Sequence, residues 1–244
     1  MDVPDGHDSS RVNVTDAGPR PIRGKIGPLD AIDFPVDSPE ALVVCCHGYG
    51  ADAADLAPLA FEIPTKRRVR WIFPEAPNPL GSDPMASGRE WFPIDQEALM
   101  QAQVLGTHRS FAELRPPGLE EAADALRALL DQTKCESLFL GGFSQGSMVA
   151  IEAALASDVG PQGVFILSGN LVDGKGTLER ASKHAGTPFF QTHGEQDPVL
   201  GFEGAQRLTA ALTDSGWKGD LQSFQGGHAI PPNALKALGE FIDG

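Results

Sequence analysis

Two kinds of apolar patterning take turns along this chain. Short unbroken apolar runs alternate with longer stretches in which apolar residues recur every third or fourth position. Ala41 to Cys46, Val69 to Phe73, Glu136 to Leu140, Val164 to Leu167, Pro188 to Thr192 and Leu221 to Phe224 are of the first kind. Such runs predict strands, the most apolar of them covered on both faces. Ile22 to Pro35 predicts a weaker edge strand, because glycines and a proline interrupt it. Helices are predicted over Ala53 to Phe61, Gln96 to Gln103 and Gln145 to Ser157. Leu119, Ala122, Ala123, Leu126, Leu129 and Leu130 keep helical spacing, with Glu120, Glu121 and Arg127 on the other face. Phe202, Ala205, Leu208 and Leu212 mark another helix, and Pro231 opens the last, carried by Leu235, Leu238 and Phe241. This alternation predicts one α/β domain over residues 22–244, a mostly parallel sheet with helices on both faces. Met1 to Pro21 is rich in Asp, Ser, Gly and Pro and is expected to be a disordered or poorly ordered tail.

One junction between the two patterns carries chemistry. After Leu138-Phe139-Leu140 come Gly141-Gly142-Phe143-Ser144-Gln145-Gly146, then an alanine-rich stretch without proline. Gly142 to Gly146 spells Gly-x-Ser-x-Gly between a strand and a helix, the context of a nucleophile elbow. In such a turn the serine sits in strained backbone, and the glycines let strand and helix approach closely. The helix that follows aims its free N–H groups at the reacting centre.

A serine hydroxyl is a weak nucleophile at neutral pH, so Ser144 needs a base, and the base needs a carboxylate to fix its tautomer. Hydrolases with this elbow order the three as Ser, acid, His along the chain. His228 is the only histidine after Asp197, so Asp197 as acid makes His228 the base. Asp197 follows a predicted strand and precedes Pro198; Glu195 is the alternative acid. Asp158, Asp173, Asp214 and Asp220 read as helix caps or solvated charge. His47 and His193, each before a glycine at a strand end, read as loop supports, and His7, His108 and His184 as surface residues. The backbone N–H groups of Gln145 and Tyr49 are the expected donors to a tetrahedral oxyanion. A parallel sheet would set His47, Ser144, Asp197 and His228 along one edge, where ligands bind in such folds.

Asn78 to Pro117 has no clear strand, and irregular stretches of this length in compact domains are usually functional. It leaves a strand end and carries Leu80, Met85, Trp91 and Phe92 towards the mouth of the site. Two readings are open. Trp91 or Phe92 walls an acyl-binding groove, or these aromatics cover the sheet edge.

Composition refines this picture. The 244 residues are 41% hydrophobic and carry a formal charge of −14. That charge argues against nucleic acid and anionic membrane surfaces as partners, and favours neutral or cationic leaving groups. Three cysteines, Cys45, Cys46 and Cys135, form neither a disulfide framework nor a zinc signature. No apolar run reaches the length of a membrane span, and the N-terminus has no signal-peptide core. The expectation is a cytoplasmic protein without a stable membrane anchor, monomeric or homodimeric, acting on a small or lipid-like acyl ester.

Several segments together carry a family resemblance. They are His47-Gly48-Tyr49-Gly50-Ala51-Asp52, Phe73-Pro74-Glu75-Ala76-Pro77, Trp91-Phe92, Gly142-Phe143-Ser144-Gln145-Gly146, His193-Gly194-Glu195-Gln196-Asp197-Pro198-Val199 and Gly227-His228. From Ala41 to the C-terminus the chain resembles the carboxylesterase, lysophospholipase and acyl-protein thioesterase family of α/β-hydrolases. The resemblance implies an α/β-hydrolase fold, Ser144 as nucleophile, Asp197 as acid and His228 as base. It also implies an oxyanion hole from the Tyr49 and Gln145 backbone, and neither cofactor nor metal. The implied reaction is cleavage of a carboxylic ester, or a thioester, through an acyl-serine. Carboxylesterase claims least; lysophospholipase and acyl-protein thioesterase are the alternatives, and an inert hydrolase-fold binding protein is the non-enzyme one. Tyr49 stands where the family often has leucine, and Ser147 where it often has glycine. Gly81 to Arg89 does not follow the family pattern, which leaves acyl specificity open.

Overall fold

A computed structural model of the chain describes residues 20–81, 88–133 and 135–244, except for the side chain of Gln103. Residues 1–19 of the expected tail lie outside that description, as does Met85.

The apolar runs do form strands. Eight make one sheet: β1 (Ile22–Ile26), β2 (Leu29–Phe34), β3 (Ala41–Cys46), β4 (Val69–Pro74), β5 (Leu138–Phe143), β6 (Gly163–Leu167), β7 (Pro188–Gly194) and β8 (Lys218–Phe224). Their order across the sheet is β1-β2-β4-β3-β5-β6-β7-β8. Neighbours from β4 through β3 to β8 pair in parallel, whereas β2 is antiparallel to both β1 and β4. The stretch expected to hold one edge strand is therefore a hairpin, turned at Gly27, whose φ of +60° glycine adopts freely.

Period-two alternation divides the core between two faces. Leu42, Val44 and Cys46 of β3 pack into one apolar cluster, and Ala41, Val43 and Cys45 into the other. The first cluster is covered by α4 (Leu119–Leu130), α5 (Gln145–Ala156) and α7 (Phe202–Asp214). The second is covered by the short helices α1 (Ala53–Leu56) and α2 (Leu59–Glu62) and by α8 (Pro232–Asp243). Ala53 to Phe61 was expected as one helix and is two, because Pro58 has no N–H to continue the first. Two further α-helices occur among the described residues, α3 (Gln96–Val104) and α6 (Gly174–Ala181). Asp173 caps α6 by accepting from Gly176 N–H at 3.2 Å, as an Asp before a helix should.

Helix α5 is buried along every residue but its last. A helix apolar on all sides belongs in the interior, and its position between the sheet and α4 fixes the direction in which its N-terminus points. Beyond the carboxyl ends of β3, β5, β7 and β8 come His47, Ser144, Asp197 and His228 in turn.

Candidate active site

The elbow is built by backbone contact. Ser144 has φ 54° and ψ −122°, a left-handed conformation that costs a side-chain-bearing residue about 1–3 kcal/mol. A Cβ on Gly142 would lie 2.3 Å from the Cys46 carbonyl oxygen, and one on Gly146 would lie 2.1 Å from it. Only glycine permits β5 and α5 to pass β3 this closely. The Ser144 N–H donates to Leu167 O at 2.8 Å, tying the turn to the end of β6. The Ser147 hydroxyl donates to Ser144 O at 2.7 Å. A Cβ on Gly169 would sit 1.9 Å from that hydroxyl, so the serine is accommodated by a glycine opposite it.

Asp197 and His228 meet, although 31 residues separate them. Asp197 Oδ2 accepts from His228 Nδ1 at 2.6 Å, and Oδ1 accepts from the backbone N–H groups of Val199 and Leu200 at 2.8 and 2.9 Å. His193 Nε2 lies 2.7 Å from Leu200 O and 3.3 Å from Asp197 Oδ2. A carbonyl oxygen can only accept, so Nε2 carries the His193 hydrogen. Burial would raise the Asp197 pKa, but the hydrogen bonds from His193 and His228, the His228 charge and the Leu200 N–H outweigh it. The carboxyl is held well below the usual carboxylate range. The Phe143 ring packs on the His228 ring at 4.8 Å between centroids. Glu195, the alternative acid, is exposed and turned away, accepting from Ser223 Oγ at 2.7 Å and from Gln225 Nε2. His108, expected at the surface, is exposed, and its Nε2 donates to Asp197 O at 2.9 Å.

His47 is a loop support. Ala76 N–H donates to its Nε2 at 3.0 Å, which leaves Nδ1 to donate to Gly48 O at 2.8 Å. Burial lowers its pKa, so the ring stays neutral and the tautomer is fixed. It orders the Gly48-Tyr49 turn, which lies against Ser144: a Cβ on Gly48 would be 3.3 Å from Ser144 Cβ.

The expectation that Trp91 or Phe92 walls a groove is corrected. Both side chains are fully buried, and neither lines the cavity at Ser144. They are held inward by polar bonds to the elbow. Trp91 N–H donates to Gln145 Oε1 at 2.9 Å, Gln145 Nε2 donates to Phe92 O at 2.7 Å, and the Trp91 indole donates to His47 O at 2.8 Å. The Gln145 side chain, which pattern alone does not single out, is thus clamped from both ends of its amide. The cavity, about 290 Å³, is lined by Ser144, Gln145, His228 and Tyr49, with Ile94, Leu99, Phe111 and Met148 among its apolar walls. Gln96 Nε2 donates to the Tyr49 hydroxyl. A second, largely apolar space of about 440 Å³ shares Ile94 and Phe111 with the first. A cavity of about 740 Å³ lies at the opposite end of the sheet beside Asp131, Cys135 and Asp158. Neither Ser144, Asp197 nor His228 lines it. Among the described residues no three His, Cys, Asp or Glu side chains are grouped as metal ligands.

The phospholipase/carboxylesterase family model matches residues 29–244. The chain belongs to that family. A probable carboxylesterase of Oryza sativa subsp. japonica is 28% identical over 212 residues, 83% of this chain and 76% of the relative. Acyl-protein thioesterase 1 of Kluyveromyces lactis is 29% identical over 182 residues, covering 71% of this chain and 77% of the relative. Among solved structures, esterase PE8 is 28% identical with a TM-score of 0.74, covering 88% of this chain and 97% of that one. SOBER1 of Arabidopsis thaliana, 22% identical with a TM-score of 0.64, shares the fold. This member of the phospholipase/carboxylesterase family has the α/β-hydrolase fold and is a hydrolase of the esterase type. No helix among its described residues is long and apolar enough to cross a membrane.

Proposed function

We propose that Ser144, His228 and Asp197 form the catalytic triad, and that the chain hydrolyses neutral or cationic acyl esters whose acyl chain enters the cavity beside Ser144. The observation that carries this reading is the 2.6 Å bond from His228 to a buried, ionised Asp197, with His228 opening into the same cavity as the strained Ser144. In the first half-reaction His228 Nε2 takes the Ser144 proton as Oγ attacks the acyl carbon. The oxyanion is met by the N–H groups of Tyr49 and Gln145, each worth about 2.7–4 kcal/mol in a site of this kind. His228 then gives its proton to the departing alcohol, leaving acyl-Ser144. In the second half a water attacks the acyl carbon, its proton goes to His228, and the acid is released as Ser144 recovers its hydrogen. A thiolate leaves by the same steps, so a thioester is the second arm of the test.

The experiment is labelling with a fluorophosphonate, followed by kcat/KM on matched esters and thioesters. The expected result is a single adduct at Ser144, absent in Ser144→Ala, with turnover reduced to the residue left by the oxyanion hole and binding. Labelling and wild-type turnover in Ser144→Ala would overturn the assignment. An unlabelled, inactive wild type would favour an inert binding protein.

A further inference from the structure

Ser144 is not the only serine held in left-handed backbone at a strand end. Ser168 directly follows β6 and has φ 50°. Glycine would take that conformation without strain, yet the position carries a side chain that is fully buried. Ser168 is not among the residues that line the Ser144 cavity.

Bonds of Ser168 and of the carbonyl before it reach all three segments of the proposed triad. The carbonyl just before it, Leu167 O, accepts from Ser144 N–H at 2.8 Å. Its own N–H donates to Thr192 O at 2.9 Å, in the strand that leads into Asp197. Its hydroxyl donates to Ala229 O at 3.0 Å, the carbonyl directly after His228. The first two bonds are made by backbone and suit any residue. The third needs a hydroxyl, and it is what serine adds over glycine. On the other side of His228 the loop is tied to the acid turn, where Gln196 N–H donates to Gly226 O at 3.0 Å. His228 is bracketed between these two anchors. The bond to Asp197 and the Phe143 ring orient the imidazole, whereas the anchors set where its backbone stands.

We propose that Ser168 is a positioning residue, whose hydroxyl fixes the His228 loop against the strand ends that carry Ser144 and Asp197. The inference rests on the triad reading above. Retaining left-handed strain where glycine would relieve it follows the pattern in which local strain is kept at functional sites. Its removal misplaces the base while leaving the acyl cavity intact, and a misplacement of about 1 Å costs up to about a hundredfold in rate.

The test compares Ser168→Gly and Ser168→Ala with wild type, Ser144→Ala and His228→Ala, measuring kcat and KM on a butyryl ester and Tm for each. Both Ser168 variants are expected to lose about ten- to a hundredfold in kcat, with KM within about twofold of wild type. Their stabilities should diverge. Ser168→Ala keeps the strain and loses the bond, so its Tm falls; Ser168→Gly relieves the strain and melts near wild type. A Ser168→Gly protein that melts normally and turns over slowly separates positioning from mere stability. Wild-type kcat in Ser168→Gly, or a kcat that simply tracks Tm across the two variants, would overturn the proposal. If Ser144→Ala and His228→Ala keep turnover, the triad reading fails first and on its own.

Discussion

Replacing Asp197 with asparagine tests the acid through two readouts of known sign. The carboxylate has four donors around it: two backbone N–H groups on Oδ1, and His228 with His193 on the Oδ2 side. Asparagine can keep one acceptor oxygen. With that oxygen towards Val199 and Leu200, its NH₂ group faces the His228 nitrogen that now carries a hydrogen. His193 cannot give way, because Leu200 O fixes its hydrogen on Nε2. His228 must then move its proton to the other nitrogen, the one that has to take the Ser144 proton. The tautomer is wrong for catalysis, and kcat should fall by about 10⁴. The fold loses about two charge-assisted bonds, worth about 1.5–3 kcal/mol each, and regains one neutral bond of about 1 kcal/mol. The net loss is about 3 kcal/mol, or about 6–12 °C in Tm for a chain of this size. The pH dependence follows from the depressed Asp197 pKa. A carboxyl whose folded pKa lies below its unfolded one stabilises the fold above the unfolded value and ceases to do so as pH falls through the folded one. The stability gap between wild type and Asp197→Asn is therefore full above about pH 4 and narrows below it. Esterase kinetics and urea unfolding from pH 7 to pH 3 measure both. Glu195→Gln is the control, expected within twofold of wild type in kcat because its side chain bonds only Ser223 and Gln225 among described contacts. A kcat for Asp197→Asn within tenfold of wild type, or a greater loss in Glu195→Gln, would refute the assignment.

Two further predictions concern the cavity. Ile94→Ala should open the way to the neighbouring 440 Å³ space and raise the octanoyl-to-acetyl ratio of kcat/KM by about tenfold, within the limits of apolar discrimination; an unchanged ratio in a series of acyl esters counts against it. Trp91→Phe removes the donor to His47 O and should cost about 1–2 kcal/mol in unfolding free energy, lowering kcat while leaving the acyl-length ratio as it was. A changed ratio would return Trp91 to the groove.

The sheet interior was legible because a strand covered on both faces reads as an unbroken apolar run, as Ala41 to Cys46 does. Edges were harder. Lys218, Gly219 and Asp220 begin β8 and are exposed, which protects an edge strand from pairing but erases the apolar signal. Helix α6 carries Gly174 and Gly176 and few apolar residues, so periodicity does not find it, and Asp173 at its start reads equally as solvated charge. The order Ser144, Asp197, His228 was readable because it follows the order of strands. The direction of Trp91 and Phe92 was not. Aromatic character marks a residue as burying surface without saying against what. Here bonds to His47 and Gln145, 44 and 54 residues away from Trp91, decide it. Ile94, Leu99 and Phe111 lie in the same stretch and line the cavity at Ser144 instead.

That division has a consequence for how such an enzyme can be altered. The proposed triad residues follow the ends of strands whose register is fixed by the whole sheet, while three of the cavity's apolar side chains, Ile94, Leu99 and Phe111, lie between Pro93 and Pro117. Trp91 and Phe92 belong with the first set, since they clamp Gln145. Where the donor segment keeps a ring donor at His108, which bonds Asp197 O, a chimera grafted at those two prolines should inherit its donor's chain-length preference. Moving the graft boundary two residues upstream carries the clamp along with it and puts the contacts to Gln145 and His47 at risk.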